Sequence, residues 1–480
     1  MSKQKTIVWL RHDLRLADNP ALHAAYQAGD VLILYIHDEP SMRSLGAASK
    51  VWLHHALTNL DKSLQNKGGK LHLTSGQAKS VLTGLIAEYG ITDVYWNRAY
   101  SPNEVARDKD LKTFFKEKNI GVKSFKANLL FEPWEVRTQT DGFYKVFTPF
   151  WKNATAKGEP DSPLPAPEKI SAIASEGAEL SILDLLPTKP NWATGFTKAA
   201  DISEQGAHDR LDYFIQNGLT GYKDKRNNAD EDHTSRLSPY LAFGQISPRQ
   251  IWRKVRIAEQ KNDLPEKDVT HFFSELGWRE FSYSLLHYLP DLKEQPIQEA
   301  FAAYPWADDD KALKRWQQGQ TGYPIVDAGM RELWATGFMH NRVRMIVASF
   351  LIKHLRLHWH HGERWFWDCL VDADVANNSA SWQWVAGCGA DAAPYFRIFN
   401  PMTQGKKFDS SGDYVRKWVP ELKNLPTSAI HEPWSAKKEV LNTAGVTLGL
   451  TYPHPMVDHF QARKEALAGY KKVKKTKESQ

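Results

Sequence analysis

The chain has only two cysteines in 480 residues, Cys369 and Cys388. With no C-x-x-C and no Cys/His cluster beside them, a disulfide framework, a thiolate zinc site and an iron–sulfur cluster are excluded. Long apolar runs are also missing, and none approaches the ~20 residues that a membrane span needs. The first residues, MSKQKTIVWLRHDLRL, pass straight into a strand and then charges, without the apolar stretch of an export signal. A cytoplasmic protein without a membrane partner is expected. No G-x-G-x-x-G follows the first predicted strand and no G-x-x-x-x-G-K-[ST] occurs, so the usual diphosphate cradles are lacking. No G-x-S-x-G elbow marks a serine hydrolase. In DADVANN (372–378), Asp372 and Asp374 lack the third acid, glycine and closing glutamate of a calcium loop, so no metal is expected.

Excess charge is scarce where a nucleic-acid protein would show it. The net +6 divides into +5 for residues 1–150, −1 for 151–200 and +2 for 201–480. The tail KKVKKTKESQ (471–480) carries +4 of this, leaving residues 201–470 at −2. Any DNA site must therefore be a local patch. The tail reads as a solvated, disordered end.

A chain of 54.7 kDa is too large for one ordinary core, and two domains are expected. Up to about Phe131, apolar β-rich runs (TIVWLR, 31–38, 70–76, 93–100 and 121–131) alternate with helical stretches such as 45–65 and 103–118. That order predicts βαβ units and a parallel, doubly wound sheet, an α/β domain. Asp18-Asn19-Pro20 predicts a helix cap with proline at the first helical position. Residues 154–190, with EPDSPLPAPE and further prolines, read as a connector. From residue 201 strand signals vanish and amphipathic stretches follow at 201–217, 247–260, 268–288, 308–319, 324–358 and 361–371, an all-α domain. The predicted division is 1–132, a connector at 133–200, 201–470, and the tail 471–480.

Most of the 18 tryptophans lie beyond residue 190. Aromatic density in a helical domain ordinarily means core packing. The pattern says more. In SELGWREF, Glu275, Trp278 and Arg279 stand at i, i+3 and i+4, placing a carboxylate, a flat aromatic and a guanidinium on one helical face. A pocket for a flat, hydrogen-bonding base needs such a trio. In HNRVRM, Asn341, Arg344 and Met345 share a face while Arg342 points away, so the two arginines call for separate partners. TSRLS (234–238) offers hydroxyls and backbone N–H groups of the kind that bind phosphates, with Tyr222 and Arg226 just upstream.

These segments, together with WLRHDLRLADNPAL, YKVFTPFWK, SPYLAFGQISPRQ, TGYPIVDAGMREL, DADVANNSASWQW and DAAPYFRIFNP, occur in an order that resembles the DNA photolyase/cryptochrome family over residues 5 to about 470. The nearest likeness is to bacterial class I cyclobutane pyrimidine dimer photolyases. The resemblance implies an α/β antenna domain and a helical flavin domain. FAD, active as the reduced anion, would be held by Tyr222, Thr234, Ser235, Arg236, Leu237, Ser238, Arg344, Asp372, Asp374 and Asn378. Arg344 would pair with Asp372, and Asn378 would approach flavin N5.

The same likeness implies that Trp278 and Trp384 clasp a flipped-out pyrimidine dimer in single- or double-stranded DNA. Glu275 and Asn341 would line its polar edges and Met345 its apolar side; Glu275, Asn341, Asn378 and Met345 form the implied catalytic set. Extrusion is less costly for a badly stacked dimer than for a normal pair. Arg226, Arg279, Arg342, Arg397, Gln404 and Lys406 would contact the flanking DNA. Excited reduced FAD would donate an electron to the dimer and recover it after ring splitting, with no net redox change. Trp382, Trp359 and Trp306 would photoreduce oxidised flavin, Trp382 standing one helical turn past Asn378. Asn103, Glu104 and Lys293 match folate positions, although Leu292 replaces a familiar cysteine. The implied antenna is 5,10-methenyltetrahydrofolate, with a deazaflavin or an empty site still open. A monomer is expected. The alternative is a cryptochrome-type blue-light receptor; a (6-4) photolyase is disfavoured because that branch carries histidine at the position of Met345.

Overall fold

The computed structural model describes residues 3–37, 40, 42–262, 264–392 and 396–478, the side chains of 199, 262, 477 and 478 excepted. Residues 393–395 of the DAAPYFRIFNP motif therefore lie outside the described residues. The chain divides into two compact units. One comprises residues 1–220, 235–290 and 371–376, the other 221–234, 291–370 and 377–480.

The first unit begins with five parallel strands: β1 Gln4–Leu10, β2 Gly29–His37, β3 Leu71–Ser75, β4 Asp93–Asn97 and β5 Gly121–Phe125. Their order is β3-β2-β1-β4-β5, the doubly wound arrangement expected from the sequence. Central β1 pairs with β2 from Gln4↔Gly29 to Leu10↔Tyr35 and with β4 from Thr6↔Asp93 to Trp9↔Trp96. Both faces of β1 and β2 are covered, which is why their sequences read as continuous apolar runs. Helices α1 Pro20–Ala28, α2 Ala47–Gln65, α3 Ala78–Tyr89 and α4 Pro102–Glu117 make the crossovers. Ile7, Trp9, Leu34, Leu82, Trp96 and Phe115 anchor one core layer. The predicted cap is present: Asn19 Oδ1 accepts from Leu22 N at 3.1 Å, and Pro20 opens the helix.

The charges of RHDLRLADNP are fastenings. Asp18 is fully buried and accepts from Arg249 Nη2 at 2.7 Å and from Ser247 Oγ. Arg15, also fully buried, donates to the carbonyls of Gly244 at 2.8 Å and Ala127 at 3.0 Å. Gly244 has φ +67°, and a Cβ there would stand 1.9 Å from His12 O, so only glycine allows this approach. The connector lies along β2, with Val31 N donating to Ser171 O and Ile173 N to Val31 O.

Beyond residue 201 the described residues form helices, with only isolated bridges such as Ala307↔Leu357. The expected helix 324–358 is broken. Gly337, at φ +69°, ends the helix Pro324–Thr336 in the left-handed region, and His340 caps a new helix, Asn341–Ser349. A π-turn, Phe350–His354, follows. The tail corrects another expectation: His459–Glu478 is one helix, so residues 471–478 are ordered chain and not a disordered end. Tyr470 and buried Val473 hold it down, and lysine is a good helix former near the negative end of the helix dipole.

Candidate functional site

Residues named from the sequence fall in both units. The first holds Asn103, Glu104, Ser235 to Ser238, Glu275, Trp278, Arg279, Asp372 and Asp374. The second holds Tyr222, Arg226, Thr234, Lys293, Trp306, Asn341, Arg342, Arg344, Met345, Trp359, Asn378, Trp382, Trp384, Arg397, Gln404 and Lys406.

In the first unit the helix Glu266–Tyr288 carries the predicted trio, with Glu275 and Trp278 half-buried. Trp278 lies flat on Phe147, ring centroids 3.9 Å apart and planes 9° from parallel. Phe147 opens α5 (Phe147–Thr155), and the next turn's Trp151 packs so closely that a Cβ on Gly277 would meet it at 2.6 Å. The motif YKVFTPFWK, given no role by sequence reasoning, thus backs the tryptophan. Arg279 turns inward. Only 11% exposed, it donates to Asn128 O at 2.7 Å and lies over the Tyr283 ring. Its Nη1 thereby braces residue 128. Neighbouring Glu280 accepts from Leu130 N at 2.9 Å and Phe131 N at 3.1 Å, and burial raises its carboxyl to about 7 despite Arg279 beside it.

The two aspartates of DADVANN are each held by a hydroxyl. Ser238 Oγ donates to Asp372 Oδ2 at 2.6 Å, and Tyr283 donates to Asp374. Burial and the Asp374 charge push the Tyr283 phenol well above its ordinary range, so it remains a donor. Arg236 stands at φ +52° with Leu237 right-handed after it (φ −88°), an alternation that turns successive N–H groups toward one side as an anion-binding concavity does. Glu104 is buried and engaged: His12 Nε2 lies 3.0 Å from its Oε1, and Ser101 donates to Oε2. Burial opposes its charge, but His12, Arg11 and Arg107 outweigh that and hold the carboxyl well below the usual range. Asn103 beside it is exposed.

In the second unit Asn378, on the helix Val375–Ala386, spends both amide hydrogens on Glu363, at 3.0 Å to the carbonyl and 2.8 Å to Oε1. Its own carbonyl oxygen is the function left to present, an acceptor. Trp382, four residues on, is 2% exposed, and a Cβ on Gly362 would stand 2.0 Å from its ring. Gly362 lies three residues after Trp359 on the helix Trp359–Cys369, so this approach seats Trp382 on the helix that carries Trp359. Trp306 reaches that helix through His358, with ring centroids 4.8 Å and then 5.7 Å apart. Trp384 Nε1 donates to Asp391 O at 3.1 Å.

Asn341 is exposed, and Met345 half-buried one turn along. Arg342 donates twice to Asn227 Oδ1, at 3.2 and 2.7 Å, over the Phe408 ring. Arg344 Nε donates to Met339 O at 2.7 Å. Arg226 lies over the buried Tyr222 ring. Lys406 pairs with Glu432, Lys293 with Glu294 at 2.8 Å, Gln404 is half-buried and Arg397 is exposed. Sequence reasoning missed Phe147, Glu363 and Asn227; only Phe147 sat in a motif that could have marked it.

Residues 6–168 match the family described as DNA photolyase, and residues 272–472 match the FAD binding domain of DNA photolyase. The chain is 50% identical over 473 residues to a deoxyribodipyrimidine photo-lyase of Agrobacterium fabrum, covering 98% of each. It is 39% identical to cryptochrome-1 of Arabidopsis thaliana, over 95% of this chain and 69% of that one. Among solved structures it resembles a bacterial class III photolyase from Agrobacterium tumefaciens, with TM-score 0.96 and 49% identity over 99% of this chain and 98% of that one. That relative is described as class III, where the motifs alone had suggested class I. An N-terminal domain built on a five-stranded parallel sheet, a helical FAD-binding domain and full-length identity of this order leave one conclusion: the chain belongs to the DNA photolyase/cryptochrome family.

Proposed function

We propose that the protein is a photolyase that repairs cyclobutane pyrimidine dimers in DNA under light, acting as a cytoplasmic monomer on single- or double-stranded substrate. The observation that carries this reading is the side chain of Asn378. With both amide hydrogens on Glu363, it offers only an acceptor and has no proton of its own to give. Such a group suits a flavin kept reduced with hydrogen on N5, the form that repair requires.

The remaining residues fit FAD. Ser238 and Tyr283 hold the carboxylates of Asp372 and Asp374 in place, and the 235–238 turn, with Tyr222 and Thr234, would receive the phosphates and the ribityl chain, while Arg344 would pair with Asp372. Reduced FAD, when bound, supplies the light-driven electron that opens the cyclobutane ring and takes it back. The protein's part is to bind and orient. Trp278, flattened by Phe147, and Trp384, tethered at its indole nitrogen, would clasp the extruded dimer, while Glu275, Asn341 and Met345 line it. Trp306, Trp359 and Trp382 would recharge oxidised flavin from the surface. Arg226, Arg279, Arg342, Arg397, Gln404 and Lys406 would contact the flanking DNA.

In this reading residues 1–132 are the antenna domain, 133–200 the connector and 201–470 the catalytic domain. For the antenna we keep methenyltetrahydrofolate, with a deazaflavin as the alternative. Of the three matching positions, Asn103 and Lys293 are accessible, whereas Glu104 is already committed to His12. An absorption spectrum of the purified protein distinguishes the two chromophores.

The similarity to plant cryptochromes supports the second reading, a blue-light receptor. The deciding experiment is illumination of dimer-containing DNA with the flavin-loaded protein against a dark control. Light-dependent loss of dimers supports repair, and unchanged dimers with intact flavin photoreduction support the receptor.

A further inference from the structure

Lys471, Lys472, Lys474 and Lys475 of the tail stand on an ordered helix. The helix His459–Glu478 lies on the second unit through Ala462, Ala466, Tyr470 and Val473, spaced four, four and three residues apart and all buried or half-buried. Tyr470 stacks on Phe396 with ring centroids 4.7 Å apart and planes 9° from parallel, and it meets Phe301 at 6.0 Å. Phe396 is the chain neighbour of Arg397. Its segment is fixed from below: Lys353 donates to Arg397 O and lies 4.4 Å from the Phe396 ring centroid, and Phe399 N donates to Ser349 Oγ at 3.3 Å. A Cβ on Gly387, three residues after Trp384, would touch Phe396 at 3.3 Å. Contact therefore runs from the helix of Trp384 through Phe396 to Tyr470.

On the outer side of the helix, Lys471, Lys472, Lys474 and Lys475 are exposed. From Ala466 to Lys477 the sequence has no acidic residue. The helix dipole accounts for a lysine or two in the last turn, but not for a run that leaves two turns purely cationic next to an exposed arginine. Ammonium groups on flexible stems are point charges suited to phosphates in any sequence context.

We propose that this helix end is a further phosphate-binding surface, which grips the DNA backbone away from the lesion and is aligned with Arg397 by the Tyr470–Phe396 stack. The choice of DNA as ligand rests on the photolyase reading; the surface itself rests on the packing above. Contacts of this kind position without reading sequence or damage.

The test measures binding of undamaged and dimer-containing duplex by the full-length, flavin-loaded protein across a salt series. The quadruple variant K471Q/K472Q/K474Q/K475Q keeps good helix formers. At about 0.9 per phosphate contact, its slope of log affinity against log salt should fall by about 2 to 4, with at least a tenfold loss of affinity at low salt. The loss should be equal for the two duplexes, leaving their ratio unchanged. Tyr470→Ala, with every lysine present, should lose part of the same slope. An unchanged slope in the quadruple variant overturns this proposal alone, as does a loss confined to dimer-containing DNA. A wild-type protein with no preference for dimer-containing duplex but a lysine-dependent slope overturns the photolyase reading and leaves the surface standing.

Discussion

Asn378 Nδ2 lies 2.8 Å from Glu363 Oε1 and 3.0 Å from the same residue's backbone oxygen, so a residue fifteen positions earlier decides which end of the amide faces out. Glu363 is 2% exposed and Asn378 8%, so the pair is sealed from water that would otherwise exchange for it. Removing the side-chain acceptor leaves one hydrogen bond instead of two and should free the amide to turn.

Glu363→Ala should therefore let Asn378 present its N–H₂ group, which cannot accept from a flavin N5–H. The expected result is a lower midpoint potential and faster air oxidation of the reduced flavin. Glu363→Gln keeps an acceptor oxygen in place and should give the smaller change. Spectroscopic titration of the bound flavin reads both.

Phe147→Leu should loosen Trp278 without touching the lesion directly. A stacked aromatic pair contributes about 0.5–1.5 kcal/mol beyond its buried area, so affinity for dimer-containing DNA should fall roughly 2- to 10-fold. Affinity for undamaged DNA should stay the same. Fluorescence anisotropy with the two duplexes measures the split.

Trp306→Phe should abolish photoreduction of oxidised flavin while leaving repair by chemically pre-reduced protein intact. If repair by the pre-reduced protein also disappeared, the roles assigned to Trp306 and to the lesion pocket would not be separable. Gly362→Ala should disturb both, because the new methyl would stand on the Trp382 ring.

Glu280 gives a pH signature. Burial raises its carboxyl to about 7 in the folded protein against the ordinary 4.5, so the folded state binds this proton more tightly than the unfolded chain. The contribution is full below the unfolded value, declines as pH rises through the folded value, and is then flat. The difference in stability between wild type and Glu280→Gln should accordingly shift against wild type between about pH 4.5 and pH 7, by an amount on the order of 3 kcal/mol. Denaturant melts at a series of pH values measure that difference.

What the sequence made legible was local. Each strand and helix of the β1 to β5 alternation, the Asn19 cap and the spacing of Trp382 from Asn378 are written in residues a few positions apart. The Asp18–Arg249 fastening joins residues 231 positions apart, and Trp278 meets Phe147 across 131; no periodicity announces such pairs. Gly337 stood inside an apparently continuous amphipathic run, and its left-handed conformation showed only in the fold. The tail looked too charged to fold, yet two anchors, Tyr470 and Val473, suffice because the helix already lies along the unit from His459.

The central claim is light-driven repair by a reduced flavin that Asn378 protects. It is tested most directly by counting dimers in an oligonucleotide after anaerobic illumination with pre-reduced protein, beside an identical sample kept dark. The account predicts that dimers disappear in the light sample only, over many turnovers and with the flavin still reduced at the end. Dimers that persist in the light, with flavin bound and reduced and the DNA bound, would contradict it.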